Sequence, residues 1–274
     1  MFNPIFLSSV FFKKYLQTGN HPFKVRIQNL LGKHLFGKGI SLVNKTGTRF
    51  CLLANDWITR TMLLNGEYEG ESIKLSEKLL EKGGVFIDIG ANFGLYTCIL
   101  SANKNVRVYA IEPNYIVVPA LLKNVALNRR DNVTVLNTAL SNDVQFVGFS
   151  LENPNNLGMA SFEVKKNASF SVMSCPLKFI FESQKILTAE LIKIDIEGNE
   201  FDVLMNFPFD KYGVKNILLE YNSLSKRSLQ ELADFFSLRG FIMQNIKGKR
   251  VNNILEGIPE NNLWLVNRHL NHLH

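Results

Sequence analysis

Three stretches hold acids and glycines in patterns that packing alone does not demand: FIDIGANFG, AIEPN and IKIDIEGNE. In the first, Asp88 stands near the end of an apolar run, and Gly90, Asn92 and Gly94 occupy the turn that follows. Glycines there permit positive φ or a close approach of backbone to a ligand. In the second, Glu112 closes another apolar run, the position from which a carboxylate accepts both hydroxyls of a ribose. In the third, Asp195 ends a buried run, Glu197 stands two residues on, and Glu200 follows Gly198. The first two stretches outline a site for an adenosine.

The dinucleotide fingerprint G-x-G-x-x-G needs a middle glycine to admit a pyrophosphate. That position is Asn92, and Asp88 just before the turn would repel a pyrophosphate while suiting an ammonium. S-adenosyl-L-methionine carries no phosphate; it ends in an amino acid beside a sulfonium. The turn therefore favours that cofactor over NAD. An NAD(P)-dependent oxidoreductase is the alternative enzyme. A non-catalytic membrane-surface protein that keeps the fold is the alternative outside enzymes.

Positioning these residues requires strands whose ends meet at one edge. VFIDI (85–89), VRVYAIE (106–112), ELIKIDIE (190–197) and VKNILLEYN (214–222) are near-continuous apolar runs, separated by helical stretches such as 118–128. Strands of that kind between helices indicate a parallel sheet covered on both faces. NVTVLNTAL (132–140) reads as one further strand, DVQFVGFSLEN and MASFEV as antiparallel strands, and NLWLVN (262–267) as the last strand. Two short strands within 39–56 and a helical stretch in GEYEGESIKLSEKLLEKGG, ended by Gly83-Gly84, precede the sheet.

The composition, 46% hydrophobic and 20% charged, supplies a core and excludes bulk disorder. No apolar run reaches the roughly 18–20 residues that span a bilayer. Three scattered cysteines fit a reducing compartment, so the reading is cytoplasmic, with neither a disulfide framework nor a zinc site. Residues 1–55 hold eight Lys/Arg and no acid, and the remainder sums to −1. That segment suits peripheral contact with an anionic membrane, or a solvated face packed on the main domain. The expected division is a basic N-terminal extension, 1–61, and a catalytic domain, 62–274.

FIDIGANFGLYT, AIEPN, LNTALS, NLGMASF and IKIDIEGNE, in that order and after the lead-in LLNGEYEGESIKLSEKLLEKGG, resemble the FkbM family of S-adenosylmethionine-dependent methyltransferases over roughly residues 62–267. The resemblance implies an α/β, Rossmann-like class I methyltransferase fold: a seven-stranded, mostly parallel sheet with an antiparallel last strand. It implies methyl transfer, usually to oxygen, with carbohydrate or natural-product hydroxyls among the acceptors. By position it assigns Asp88, Gly90, Asn92 and Gly94 to the cofactor turn and Glu112 to the ribose. It sets Asn137 and Ala139 beside the adenine, and Asp195, Glu197 and Glu200 in the family's acidic run.

In-line transfer to a hydroxyl benefits from a base that takes its proton. No histidine lies in the motif region, so Asp195 and Glu197 are the catalytic candidates, against a reading in which they bond a neighbouring loop. Glu200 suits either the helix N-terminus or a substrate. A Mg²⁺ held by Asp195, Glu220 and Asn222 is the less favoured arrangement, and no resident metal is expected. The acceptor is a small molecule or glycan; Asn153, Asn155 and Asn156 offer amides to sugar hydroxyls, or simply make a turn. Nucleic acid is not expected, because no N/D-P-P-Y-type clamp follows Asp195.

Overall fold

A computed structural model describes residues 40–44, 46–52, 58, 61–62, 67–150, 161–162, 170–196, 198–221, 225, 227–251 and 261–270. The readings made for residues 1–39, for Asn153, Asn155 and Asn156, and for Glu197 and Asn222 lie outside them.

A hairpin, β1 (Ile40–Val43) and β2 (Arg49–Leu52), is followed by α1 (Gly70–Leu79), β3 (Gly84–Ile89), α2 (Leu95–Leu100), β4 (Val106–Ile111), α3 (Val118–Leu127) and β5 (Val133–Leu136). The middle of the chain forms β6 (Ala139–Leu140), β7 (Gln145–Ser150), β8 (Ser161–Phe162), β9 (Phe170–Cys175) and α4 (Leu177–Ser183). The chain then supplies β10 (Thr188–Ile194), α5 (Glu200–Met205), β11 (Gly213–Glu220), α6 (Leu229–Ser237), β12 (Phe241–Asn245) and β13 (Asn262–Asn267).

The main sheet has seven strands in the order β12-β13-β11-β10-β3-β4-β5. The block from β11 to β5 is parallel, and β13 runs antiparallel between β11 and β12. This is the Rossmann-like α/β sheet with an antiparallel last strand that the resemblance implies. Chain order runs outward in both directions from β3, so the crevice beside β3 is the switch point at which such sheets bind ligands.

Strand alternation explains the charges at this edge. On the face covered by α1 and α2, the deep positions are apolar: Phe86, Leu191 and Leu218 are all buried. Moving along the same face toward the carboxyl ends, β3 presents Asp88, β10 presents Lys193, and β11 ends on Glu220. On the opposite face Ile87, Ile192 and Ile217 join residues of α4, α5 and α6 in one apolar core.

The run 132–140 is two strands in two sheets. After β5, Asn137 donates its amide to the carbonyls of Glu112 (2.8 Å) and Pro113 (3.1 Å), and Thr138 N–H bonds back to Leu136. These bonds turn the chain out of the main sheet. β6 joins a second sheet, order β6-β9-β7-β8, in which β7 and β8 are antiparallel as their sequences suggest. β9 and α4 complete this region and have no counterpart in the sequence reading.

The hairpin is tied to the main body. Phe50 and Leu52 are buried in its core, with Phe50 edge-on to Phe93 at 6.0 Å. The side chains of Asn124 and Asn128 on and after α3 accept from Cys51 N–H (2.7 Å) and Arg49 N–H (2.9 Å). No helix among the described residues is long and apolar enough to cross a membrane.

Candidate active site

The turn after β3 is held by its own chain. Gly90 (φ 80°), Asn92 (φ 50°) and Gly94 (φ 89°) all take left-handed conformations. A Cβ on Gly90 would lie 1.9 Å from the carbonyl oxygen of Asp195, so the turn passes directly against the end of β10. A Cβ on Gly94 would meet Leu121 at 2.5 Å. Both glycines therefore have packing reasons of their own, independent of any ligand.

Every amide from Gly90 to Gly94 is spent inside the protein. Gly90 and Ala91 donate to the Ile111 carbonyl at 3.0 Å each, and Gly94 to Ala91 at 2.9 Å. Asn92 N–H donates to Glu112 Oε2 and Phe93 N–H to Asn92 Oδ1, both at 2.8 Å. Asp88 lies beneath the turn, 1% exposed, and accepts the Thr97 hydroxyl at 2.6 Å, bracing α2 against β3. Burial raises its pKa, against the pull of Lys193 and Thr97.

Glu112 stands across from this turn. Its Oε2 takes Asn92 N–H and its Oε1 takes Asn114 N–H, both at 2.8 Å. An ionised carboxylate has about four acceptor sites. Two backbone bonds fix its orientation and leave one lone pair on each oxygen, a fork suited to a vicinal diol. Burial pushes its pKa up to about 7, opposed by the two amides. Asn137 lies alongside, lining an open pocket of about 320 Å³ with Pro113, Tyr115, Phe170, Ser171 and Val172. Tyr115 and Phe170 meet edge to face at 4.4 Å, so the second sheet forms one wall. Ala139 is set back from that pocket, 1% exposed, in a small core with Val147 and Val172.

Asp195 follows β10, its side chain 28% exposed, and accepts Lys193 Nζ at 2.9 Å. Burial works against its charge, but Lys193 and hydrogen bonds from Glu220 and Lys193 outweigh this and hold its pKa below the usual carboxylate range. Lys193 itself is 5% exposed, 4.9 Å from the centre of the Tyr96 ring. Burial alone would lower its pKa; Asp195, Glu69 and Asp88 reverse that and keep it charged. Tyr96 in turn donates its hydroxyl to Glu69 Oε2 at 2.7 Å. Tyr68 borders the same group: burial, Glu69 and Asp195 all raise its pKa.

Glu200 belongs to the loop. Its Oε1 accepts Ile196 N–H (2.8 Å) and Gly198 N–H (3.0 Å), with the residue 4% exposed. Among the described residues no group of three His, Cys, Asp or Glu is placed to hold a metal ion. Lys193, Tyr96 and Glu69 are additions to the residues singled out from sequence. The available signal was a lysine inside the otherwise apolar run LIKI.

The hexuronic acid methyltransferase AglP of Haloferax volcanii is 25% identical over 185 residues, which cover 67% of this chain and 74% of that protein. Two solved structures match at low similarity. A TehB-like SAM-dependent methyltransferase from Corynebacterium glutamicum is 11% identical with a TM-score of 0.42, covering 76% of this chain and 90% of that one. TYW2 of M. jannaschii, solved in complex with AdoMet, is 14% identical with a TM-score of 0.40, covering 84% and 85%. A model of the methyltransferase FkbM domain matches residues 88–243, from Asp88 under the turn to β12. That match takes in the glycine turn, Glu112, Asp195 and more than half of the sequence, and the chain belongs to the FkbM methyltransferase family.

Proposed function

We propose that the protein transfers a methyl group from S-adenosylmethionine to a hydroxyl of a sugar, glycoconjugate or related natural product. The observation that carries the cofactor is Glu112, a fixed carboxylate with two acceptor sites to spare, next to a turn whose amides are all consumed. A pyrophosphate needs free backbone N–H groups at such a turn; an adenosine without phosphate does not. When bound, the cofactor supplies an electrophilic methyl on a sulfonium. Glu112 holds the ribose, and Asn137 with Tyr115 and Phe170 borders the base.

Asp195 is the candidate base: it is a partly exposed carboxylate at the edge, kept ionised by Lys193. Beside Glu220 lies a shallow cleft whose walls include Phe201, Asp202, Tyr221 and Arg227. Aromatic faces beside charged hydrogen-bonding groups suit a carbohydrate. A relative named for methylating a hexuronic acid supports a sugar acceptor. Calorimetry with S-adenosylmethionine and NAD side by side tests the cofactor; binding of NAD alone would overturn the reading.

Substitution of Glu112 gives a second test. Glu112→Ala removes charge-assisted bonds worth roughly 1.5–3 kcal/mol, so cofactor affinity is expected to fall roughly tenfold to a hundredfold. The wild-type affinity should also depend on pH. Below about 7 the empty site's Glu112 carries a proton that binding must displace. Affinity therefore climbs from pH 6 to 8 and then levels. The folded, empty protein binds this proton more tightly than the unfolded chain, so the group's contribution to stability is largest at low pH and is lost as pH rises through about 7. Glu112→Gln should abolish both trends. Calorimetry and thermal melts at several pH values check them, and pH-independent affinity in the wild type would refute the assignment.

A further inference from the structure

The amino-acid end of the proposed cofactor carries one carboxylate and one ammonium, and the glycine turn has no amide left to receive the carboxylate. α2, which follows the turn, is six residues long and offers no anion site of its own. A side-chain cation would give that carboxylate a charge-assisted partner. Among the described residues Lys193 is the one buried cation, and it lies at the switch point, paired in register with Asp88 on β3. Its ammonium has three donors; Asp195 takes one, and Tyr96 lies under the group at 4.9 Å. Glu69 faces the same centre from the start of α1. It adopts φ 50°, a costly conformation for a residue with a Cβ. The Tyr96 hydroxyl fixes its carboxylate at 2.7 Å. A lysine and a glutamate are thus braced by one tyrosine in the first turn of the helix that follows.

Resting on the S-adenosylmethionine reading, we propose that side chains, rather than the turn's backbone, hold the amino-acid end of the cofactor: Lys193 pairs with its carboxylate and Glu69 with its ammonium. Tyr96 then sets the spacing between the two. The arrangement discriminates ligands by their amino-acid end, whatever the acceptor.

The experiment is calorimetry on the full chain with three ligands. S-adenosylhomocysteine has both charged groups, S-adenosyl-3-thiopropylamine lacks the carboxylate, and 5′-methylthioadenosine lacks both. Lys193→Met is expected to weaken S-adenosylhomocysteine roughly tenfold or more, the loss of one hydrogen bond between charged groups, without weakening the other two ligands. Glu69→Gln is expected to weaken both ammonium-bearing ligands and to spare methylthioadenosine. An equal loss for all three ligands would show that Lys193 only supports Asp195 and would overturn the proposal, as would unchanged S-adenosylhomocysteine affinity. If Lys193→Met does not fold, the Glu69→Gln pattern decides alone. Failure of the wild type to bind any of the three would instead reject the cofactor itself.

Discussion

Asp195→Asn is expected to lower methyl transfer by roughly 10²–10⁴, the usual contribution of a general base, while leaving cofactor affinity nearly intact. Asparagine keeps the shape and can still accept from Lys193, so the end of β10 should hold. What disappears is the anion that burial opposes and Lys193 sustains. The natural readout is label transfer from methyl-tritiated S-adenosylmethionine to carbohydrate acceptors, hexuronic acids among them, with calorimetry as the binding control. A chelator should leave the wild-type rate unchanged, since Asp195 is already paired with an ammonium and Glu220. Full activity in the asparagine variant would reduce Asp195 to a structural residue. Loss on chelation, restored by Mg²⁺, would replace the base with a metal ligand.

Gly90→Ala should be the most damaging added methyl group among the described glycines. The new Cβ would lie 1.9 Å from the Asp195 carbonyl, a backbone atom that cannot swing aside. Relief requires β3 and β10 to part at the point where their parallel pairing ends, Ile194 opposite Ile89. The left-handed φ of 80° adds about 1–2 kcal/mol on its own. A total on the order of 4 kcal/mol or more is expected, a drop in melting temperature of roughly 10 °C for a chain of this size. Gly47→Ala is the control, because Gly47 has a similar φ of 82° and nothing within 4 Å of its added Cβ. It should lose only the dihedral cost. Similar melting temperatures for the two variants would mean that the turn yields and that the contact is unimportant.

Much of this edge was legible because strands declare themselves by uninterrupted apolar runs that end on an acid. Asp88, Glu112 and Asp195 each stand at such an end, and the structure brings all three to the carboxyl edge of neighbouring strands. The second sheet was less legible. Nothing in VTVLNTAL signals that Asn137 turns the chain, because the reason is two carbonyls 24 and 25 residues away in sequence. β9 alternates between exposed and buried positions in a run of small and apolar residues, and α4 begins after Pro176 with no acidic first turn. Lys193 carried a signal that pattern alone could not interpret. A lysine in a buried strand needs counter-charges, and those come from Asp195 two residues on and from Glu69 far away in sequence. The glycines posed the converse problem. Their presence suggested a ligand, whereas the contacts of Gly90 and Gly94 are to Asp195 and Leu121.

Asn124 links two parts of the molecule with one amide: its Oδ1 takes Cys51 N–H of the hairpin, and its Nδ2 donates to the Phe93 carbonyl in the cofactor turn. A recombinant fragment begun at residue 62 would remove one end of that link. It would also uncover Phe93 where Phe50 now sits. A shortened version begun after the hairpin is therefore expected to damage the turn it was designed to preserve.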